Sequence, residues 1–173
     1  MSSSWEFDLR NRLDTFHHRQ KPSTQGISVS IKVRVTGGCY HREHSPIAYK
    51  VIDKHLSSMR LDESISFGEH ESGPELLVYL MFGTAVLTLS KSIIDLITAF
   101  IKARSDGIKK GDRPSEPLEL IVRTFDKDGK LAEETVLHID SRHAPARKHI
   151  QLALEQAINR MLSLPQHRRG RGA

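Results

Sequence analysis

Cysteine is nearly absent from this sequence, and the amino terminus lacks the pattern of a secretory signal. Cys39 is the one cysteine among 173 residues. A single cysteine excludes an internal disulfide framework and is typical of a reducing compartment. No basic segment followed by an apolar one precedes residue 20, as a signal peptide would require. We therefore expect a cytoplasmic protein, long enough to bury a core without disulfides or a metal.

Motifs of common nucleotide, substrate and RNA sites are lacking too. The sequence has no P-loop, no GxGxxG, no GxSxG, no RNP1 pattern and no KH-type GxxG loop. Of the net charge of +5, the first 26 residues carry +1 and the last nine carry +3, which leaves +1 for residues 27–164. Any nucleic-acid binding is therefore expected to be weak, with phosphate contacts from the tail residues Arg168, Arg169 and Arg171.

The longest apolar stretch runs from Pro74 to Arg104 and predicts one long central helix. Ser72 and Glu75 have the spacing of a capping box. The polar residues that follow recur in steps of three and four, as one narrow stripe on a helix would: Thr84, Thr88, Lys91, Asp95, Thr98 and Lys102. An alternative is that Leu76–Phe82, rich in residues that favour strands, forms a strand that ends at Gly83.

The same stretch raises the question of membrane insertion. Its charge-free run, Leu76–Ser90, is shorter than the roughly 18 residues that a membrane-spanning helix needs, and Lys91 and Asp95 follow inside the apolar part. Basic residues come directly afterwards, as they would on a cytoplasmic flank: Lys102, Arg104, Lys109, Lys110 and Arg113. We favour a core helix and keep a membrane-active effector that inserts helix 75–104 as an alternative.

The first 26 residues are predicted to form an amphipathic helix and a linker. Trp5, Leu9, Leu13 and Phe16 follow one another at helical spacing, within a helix from about Ser4 to His18. This helix either docks on the rest of the chain or binds a protein partner, with Trp5 as its anchor. Residues 165–173 are expected to form a basic, disordered tail.

Residues 27–164 are predicted to form one small two-layer α+β domain, with about four strands and helices packed on one face. Ile27–Thr36 alternates apolar and polar residues as a half-buried strand does, and Ser45-Pro46 is typical of a helix start. Ile65 and Phe67 mark a short strand. A hairpin turns at Asp126–Gly129 between two further strands, and Pro145 begins the last helix.

Two groups of residues resemble metal or catalytic sites. Cys39, His41, Glu43 and His44 could ligate zinc or pair a nucleophile with a base, but their spacing matches no standard finger. Asp126–Gly129 resembles the beginning of a calcium loop without its remaining ligands. We favour a polar loop and a hairpin turn, and predict no catalytic, metal or cofactor residues.

From Ile27 onward the layout resembles the effector-associated constant component family of bacterial conflict systems. The matching segments are ISVSIKVRV, FIKARSDG, LELIVRTFDKDGKLAEETVLHI and HIQLALEQAINRML. The resemblance implies a non-enzymatic partner of variable effectors, with no catalytic residues. We therefore predict a protein–protein interaction module, an adaptor or sensor that binds an effector subunit or itself. The alternative is a nucleic-acid-associated protein that uses the tail and the basic linker around Lys102–Arg113.

Overall fold

The chain folds as a five-stranded antiparallel sheet with three helices, in a computed structural model that describes residues 26–36, 40–59, 65–70, 73–81, 89–113, 117–125, 130–140 and 142–163. The elements follow in the order β1 (Gly26–Val35), α1 (Pro46–Ser58), β2 (Ile65–His70), β3 (Gly73–Met81), α2 (Lys91–Lys109), β4 (Leu118–Phe125), β5 (Leu131–Ile139) and α3 (Arg147–Ser163). The strand order across the sheet is β2-β3-β1-β4-β5. This confirms the α+β class.

The prediction of one long central helix is wrong in its first part, and the sheet has five strands where about four were predicted. Residues 73–81 form β3, which pairs with both β1 and β2, so the alternative of a strand in this stretch is confirmed. Gly73 has a φ of +118°, which a residue in the first turn of a helix cannot adopt. The helix in this region begins instead at Lys91, where the Ser90 hydroxyl accepts a hydrogen bond from the Ile93 amide, and continues past Arg104 to Lys109.

The remaining predicted elements are present with small shifts of their ends. β1, α1, β2, β4, β5 and α3 all lie where the residue patterns place them. The turn at Asp126–Gly129, the amino-terminal helix and the carboxy-terminal tail lie outside the described residues. Among the helices that the structure describes, none has the length and apolar character needed to cross a membrane.

The core lies between one face of the sheet and the three helices. Alternate β1 residues are buried on this face, and the β4 residues that pair with them continue it: Val29, Ile31, Val33 and Val35, with Leu118, Leu120 and Val122. The helices bury one stripe each in the same cluster, including Ile52, Ile97, Phe100, Ile150 and Leu154. We call this side of the sheet the helix face and the other side the polar face.

Hydrogen bonds join the start of α1 to the segment that follows α2. The Asp112 carboxylate accepts hydrogen bonds from the backbone amides of Ile47 and Ala48, both at 2.9 Å, and so caps α1 from a distant part of the chain. Ser45, the predicted cap, makes no side-chain hydrogen bond there. Gly107 lies directly against Asp112, where a β-carbon would collide with the carboxylate.

Candidate functional site

Most residues singled out by sequence fall outside the described part of the chain. This holds for Trp5, Leu9, Leu13, Phe16, Cys39, Arg168, Arg169 and Arg171. His41 and His44 are described, and their rings stack with centroids 4.6 Å apart. Nowhere in the described ranges do three His, Cys, Asp or Glu side chains lie close enough together to hold a metal ion.

One edge of the sheet is formed by β5, a nine-residue strand. No strand among the described residues pairs with its outer side. Most of its side chains are exposed, and Leu131 has 49% of its surface accessible. The pairing of β5 with β4 shifts register between Leu120 and Ile121, so that β5 carries one extra residue there. The strand is regular from Leu131 to Thr135.

A shallow depression of about 490 Å³ lies on one flank of α3. Its described lining is mainly apolar and includes no acidic residue: Ala146, Lys148, His149, Leu152, Ala153 and Gln156. Leu152 is 48% exposed, although leucine is among the residues most often buried. The apolar surface here is therefore grouped rather than scattered.

Two ion pairs show which flank of α3 carries the depression. Arg147 donates to Asp95 of α2 at 2.5 Å, so the Arg147 flank faces the helix layer. Arg160 donates to Glu134 of β5 at 2.5 Å, and on a helical wheel Arg160 lies on the same flank as His149, Ala153 and Gln156. This part of the depression, formed by His149, Ala153 and Gln156, therefore lies on the flank of α3 that faces β5.

The polar face carries two clusters of paired charges on neighbouring strands. Arg34 of β1 donates two hydrogen bonds to Glu119 of β4, at 2.7 and 3.1 Å. Arg123 of β4 donates to Glu75 of β3 at 3.3 Å and to Glu133 of β5 at 3.0 Å. Arg123 thus joins strands on both sides of β1. Cross-strand pairs of opposite charge are a common source of sheet stability.

The centre of the polar face is buried. Ser28, Ser30, Lys32 and Glu75 are each at most 4% exposed. Lys32 lies opposite Glu75 on one side and Ile121 on the other. Burial lowers the pKa of Lys32, and the nearby Glu75 carboxylate opposes this shift without cancelling it. The alternation in β1 predicted this face correctly as polar, but it contained no indication that the face would be buried.

Comparison with known proteins does not assign this fold or these residues to a family. The sequence matches no family model, and no curated protein or solved structure matches it either.

The candidate surface joins β5 and α3, which follow one another in the chain. Its two parts are the depression on the helix and the strand edge that no described strand pairs. On a helical wheel Leu152 lies opposite to the buried Ile150 and Leu154, so the pattern of α3 already separates it from the core residues. The neighbouring strand edge depends on the topology of the sheet, which residue spacing does not contain.

Proposed function

We propose that the chain is a non-enzymatic protein–protein interaction module that binds an extended segment of a partner along β5. The observation that carries this proposal is the exposed β5 edge, which no described strand pairs, together with the apolar depression on the neighbouring α3. The wider role follows from the resemblance of layout: a cytoplasmic adaptor or sensor in a bacterial defence or conflict system, with an effector subunit as partner.

Strand addition uses both features at once. A free sheet edge offers unpaired backbone N–H and C=O groups, and these supply affinity for any extended segment. Alternate side chains of the added strand then point to one side of the sheet, and a pocket on that side supplies specificity. The depression beside β5 is placed to receive such a side chain.

The charges around the site indicate the chemistry of the partner. Glu133 and Glu134 of β5 are already paired with Arg123 and Arg160. The rim of the depression has Lys148 and His149 without an acidic residue in its described lining. We therefore expect a segment with an apolar side chain for the depression and an acidic residue beside it.

A displayed library of ten-residue segments, selected on the whole protein, tests the proposal. Selected peptides should combine an apolar and an acidic residue, and Leu152→Asp should weaken their binding at least tenfold. Val51→Asp is the matched control, because Val51 on α1 is 47% exposed and lies far from β5 in the fold. N-methylation of alternate peptide amides should abolish binding, because it removes the edge hydrogen bonds.

The outcomes that contradict the proposal are equally distinct. Strand addition at β5 would be excluded if Val51→Asp weakened peptide binding as much as Leu152→Asp does. Full binding of the N-methylated peptides would exclude it too. A wild-type protein that dimerises in sedimentation, with loss of the dimer in Leu152→Asp, would make a second copy the occupant. Coexpression with the product of a neighbouring effector gene would then test the role in defence.

A second candidate function is association with nucleic acid, which is favoured by exposed basic residues at the end of α2. Lys102, Lys109, Lys110 and Arg113 are all exposed, whereas Asp106 is half-buried and Asp112 is buried as the cap of α1. Binding to duplex DNA of mixed sequence should fall steeply with salt. If the tail alone is responsible, removal of residues 166–173 abolishes binding. Binding that survives this truncation and is lost in Lys109→Ala with Lys110→Ala would favour the α2 site.

A further inference from the structure

The polar face is buried although the described helices pack on the opposite side of the sheet. Ser28 and Ile121 are 0% exposed, and Ser30 is 1% exposed. Ile121 is not part of the core cluster to which α1, α2 and α3 contribute. Residues in the centre of an uncovered sheet face retain some contact with water. The polar face therefore has a cover that none of the described helices supplies.

The cover must offer hydrogen-bonding groups as well as apolar surface. The hydroxyl oxygens of Ser28 and Ser30 and the Oε2 atom of Glu75 are buried without a hydrogen-bond partner. A buried acceptor that lacks a donor destabilises a protein. Ile121 lies among them and needs an apolar contact. An amphipathic segment with a cation at the border of its apolar stripe meets both requirements.

We propose that the amino-terminal segment of the same chain, residues 4–18, lies across the polar face. β1 is the central strand of the sheet and begins at Gly26, so the chain enters the sheet at the end of its middle strand, within reach of this face. A helix of this segment would span about 22 Å, and β1 spans about 33 Å. The seven intervening residues can reach back about 23 Å. This inference does not rest on the proposed function.

The residue pattern of the segment fits the buried groups that it would contact. At 100° per residue, Trp5, Leu9, Leu13 and Phe16 form one stripe that can pack on Ile121. Arg12 falls at the border of this stripe, 20° from Trp5 on the helical wheel. A guanidinium group at this border is a donor of the kind that the Oε2 atom of Glu75 lacks. The carboxy-terminal tail is a poorer fit, because it continues from α3 on the helix face.

Trp5 is the only tryptophan, so its fluorescence reports on the segment in the full-length protein. In the wild type we expect blue-shifted emission and weak quenching by acrylamide. Leu9→Asp with Leu13→Asp should release the segment, shift the emission to the red and raise acylation of Lys32 at least tenfold. Acylation of the exposed Lys102 serves as the internal reference.

The matched control is Asn11→Asp with Thr15→Asp, which adds the same two charges at the same spacing on the outer side of the helix. It should leave Trp5 emission and Lys32 acylation as in the wild type. Solvent-exposed Trp5 in the wild type would overturn the proposal even if the Leu9, Leu13 variant failed to fold. Equal effects of both pairs would overturn it too. Lys32 protection that falls on dilution would assign the cover to a second copy instead.

Discussion

The two faces of the central sheet are held by different forces. The helix face buries apolar side chains of the central strands against three helices. The polar face buries serine hydroxyls, a lysine and a glutamate, and arranges its arginines between carboxylates on neighbouring strands. Both faces are equally dry at the centre of β1, since Ser28 and Ile31 differ by only 1% in exposure.

The difference between the faces shows what a non-directional force and a directional one can each specify. Apolar contacts on the helix face stabilise the fold in proportion to the area removed from water, almost regardless of orientation. Buried polar groups stabilise only when each one finds its partner, and they destabilise when one is missing. The apolar contacts of the helix face therefore stabilise the fold. The buried polar groups of the polar face require a cover that offers them hydrogen-bond partners.

The largest effect should come from truncation on the helix face. Leu120 is fully buried opposite Val33, so Leu120→Ala should lower the free energy of unfolding by about 2–5 kcal/mol through lost contacts and the cavity that remains. Leu131→Ala is the matched control, because Leu131 is half exposed and should change stability by less than about 0.5 kcal/mol. Urea denaturation measures both. Similar losses in the two variants would contradict the packing described for this face.

The next effect should come from removal of the arginine that links three strands on the polar face. Arg123→Met leaves the buried carboxylate of Glu75 without its donor, at a cost of about 1–3 kcal/mol. Arg34→Met removes a more exposed guanidinium and should cost about 0–1 kcal/mol. Glu75→Gln should restore part of the loss in the Arg123→Met background and none in the Arg34→Met background. No restoration would mean that the Arg123 stem, and not its charge, stabilises the face.

A buried carboxylate of the helix layer gives the contrasting case, since backbone amides satisfy it. Asp112→Ala removes the cap of α1 and should cost about 0.5–2 kcal/mol. Gly107→Ala should destabilise the wild type, because the added methyl group collides with Asp112. The same substitution should cost less in the Asp112→Ala background, where the carboxylate is gone. Strict additivity in thermal denaturation would rule out this contact.

Local patterns were sufficient for elements whose apolar and polar residues fall on different sides. The alternation in β1 and Pro46 at the start of α1 each predict an element that the structure contains. The prediction failed for β3, which was expected to be part of a helix. This strand is paired on both edges, and its apolar residues Leu76 and Val78 continue without interruption into the residues before α2, so periodicity could not separate strand from helix.

The candidate sites were beyond local patterns for a different physical reason. The cap of α1 comes from a residue more than sixty positions away, and the groups on the polar face come from four strands. Such pairs depend on sheet order, which sequence spacing does not contain. Arg123 has the pattern of any polar strand residue, and only its position between Glu75 and Glu133 makes it central.

The smallest effect concerns the outer side of the helix layer, where Lys91 and Asp95 lie four residues apart on α2. Asp95 instead accepts from Arg147 of α3, and both side chains are more than one third exposed. A double-mutant cycle of Asp95→Ala and Arg147→Ala should give a coupling of about 0.2–1 kcal/mol that shrinks with added salt, because exposed ion pairs are screened. The cycle of Lys91→Ala with Asp95→Ala should give almost no coupling. A larger coupling for Lys91 than for Arg147 would mean that α3 is not docked on α2 as described, and the helix face would then be less completely covered than its burial indicates.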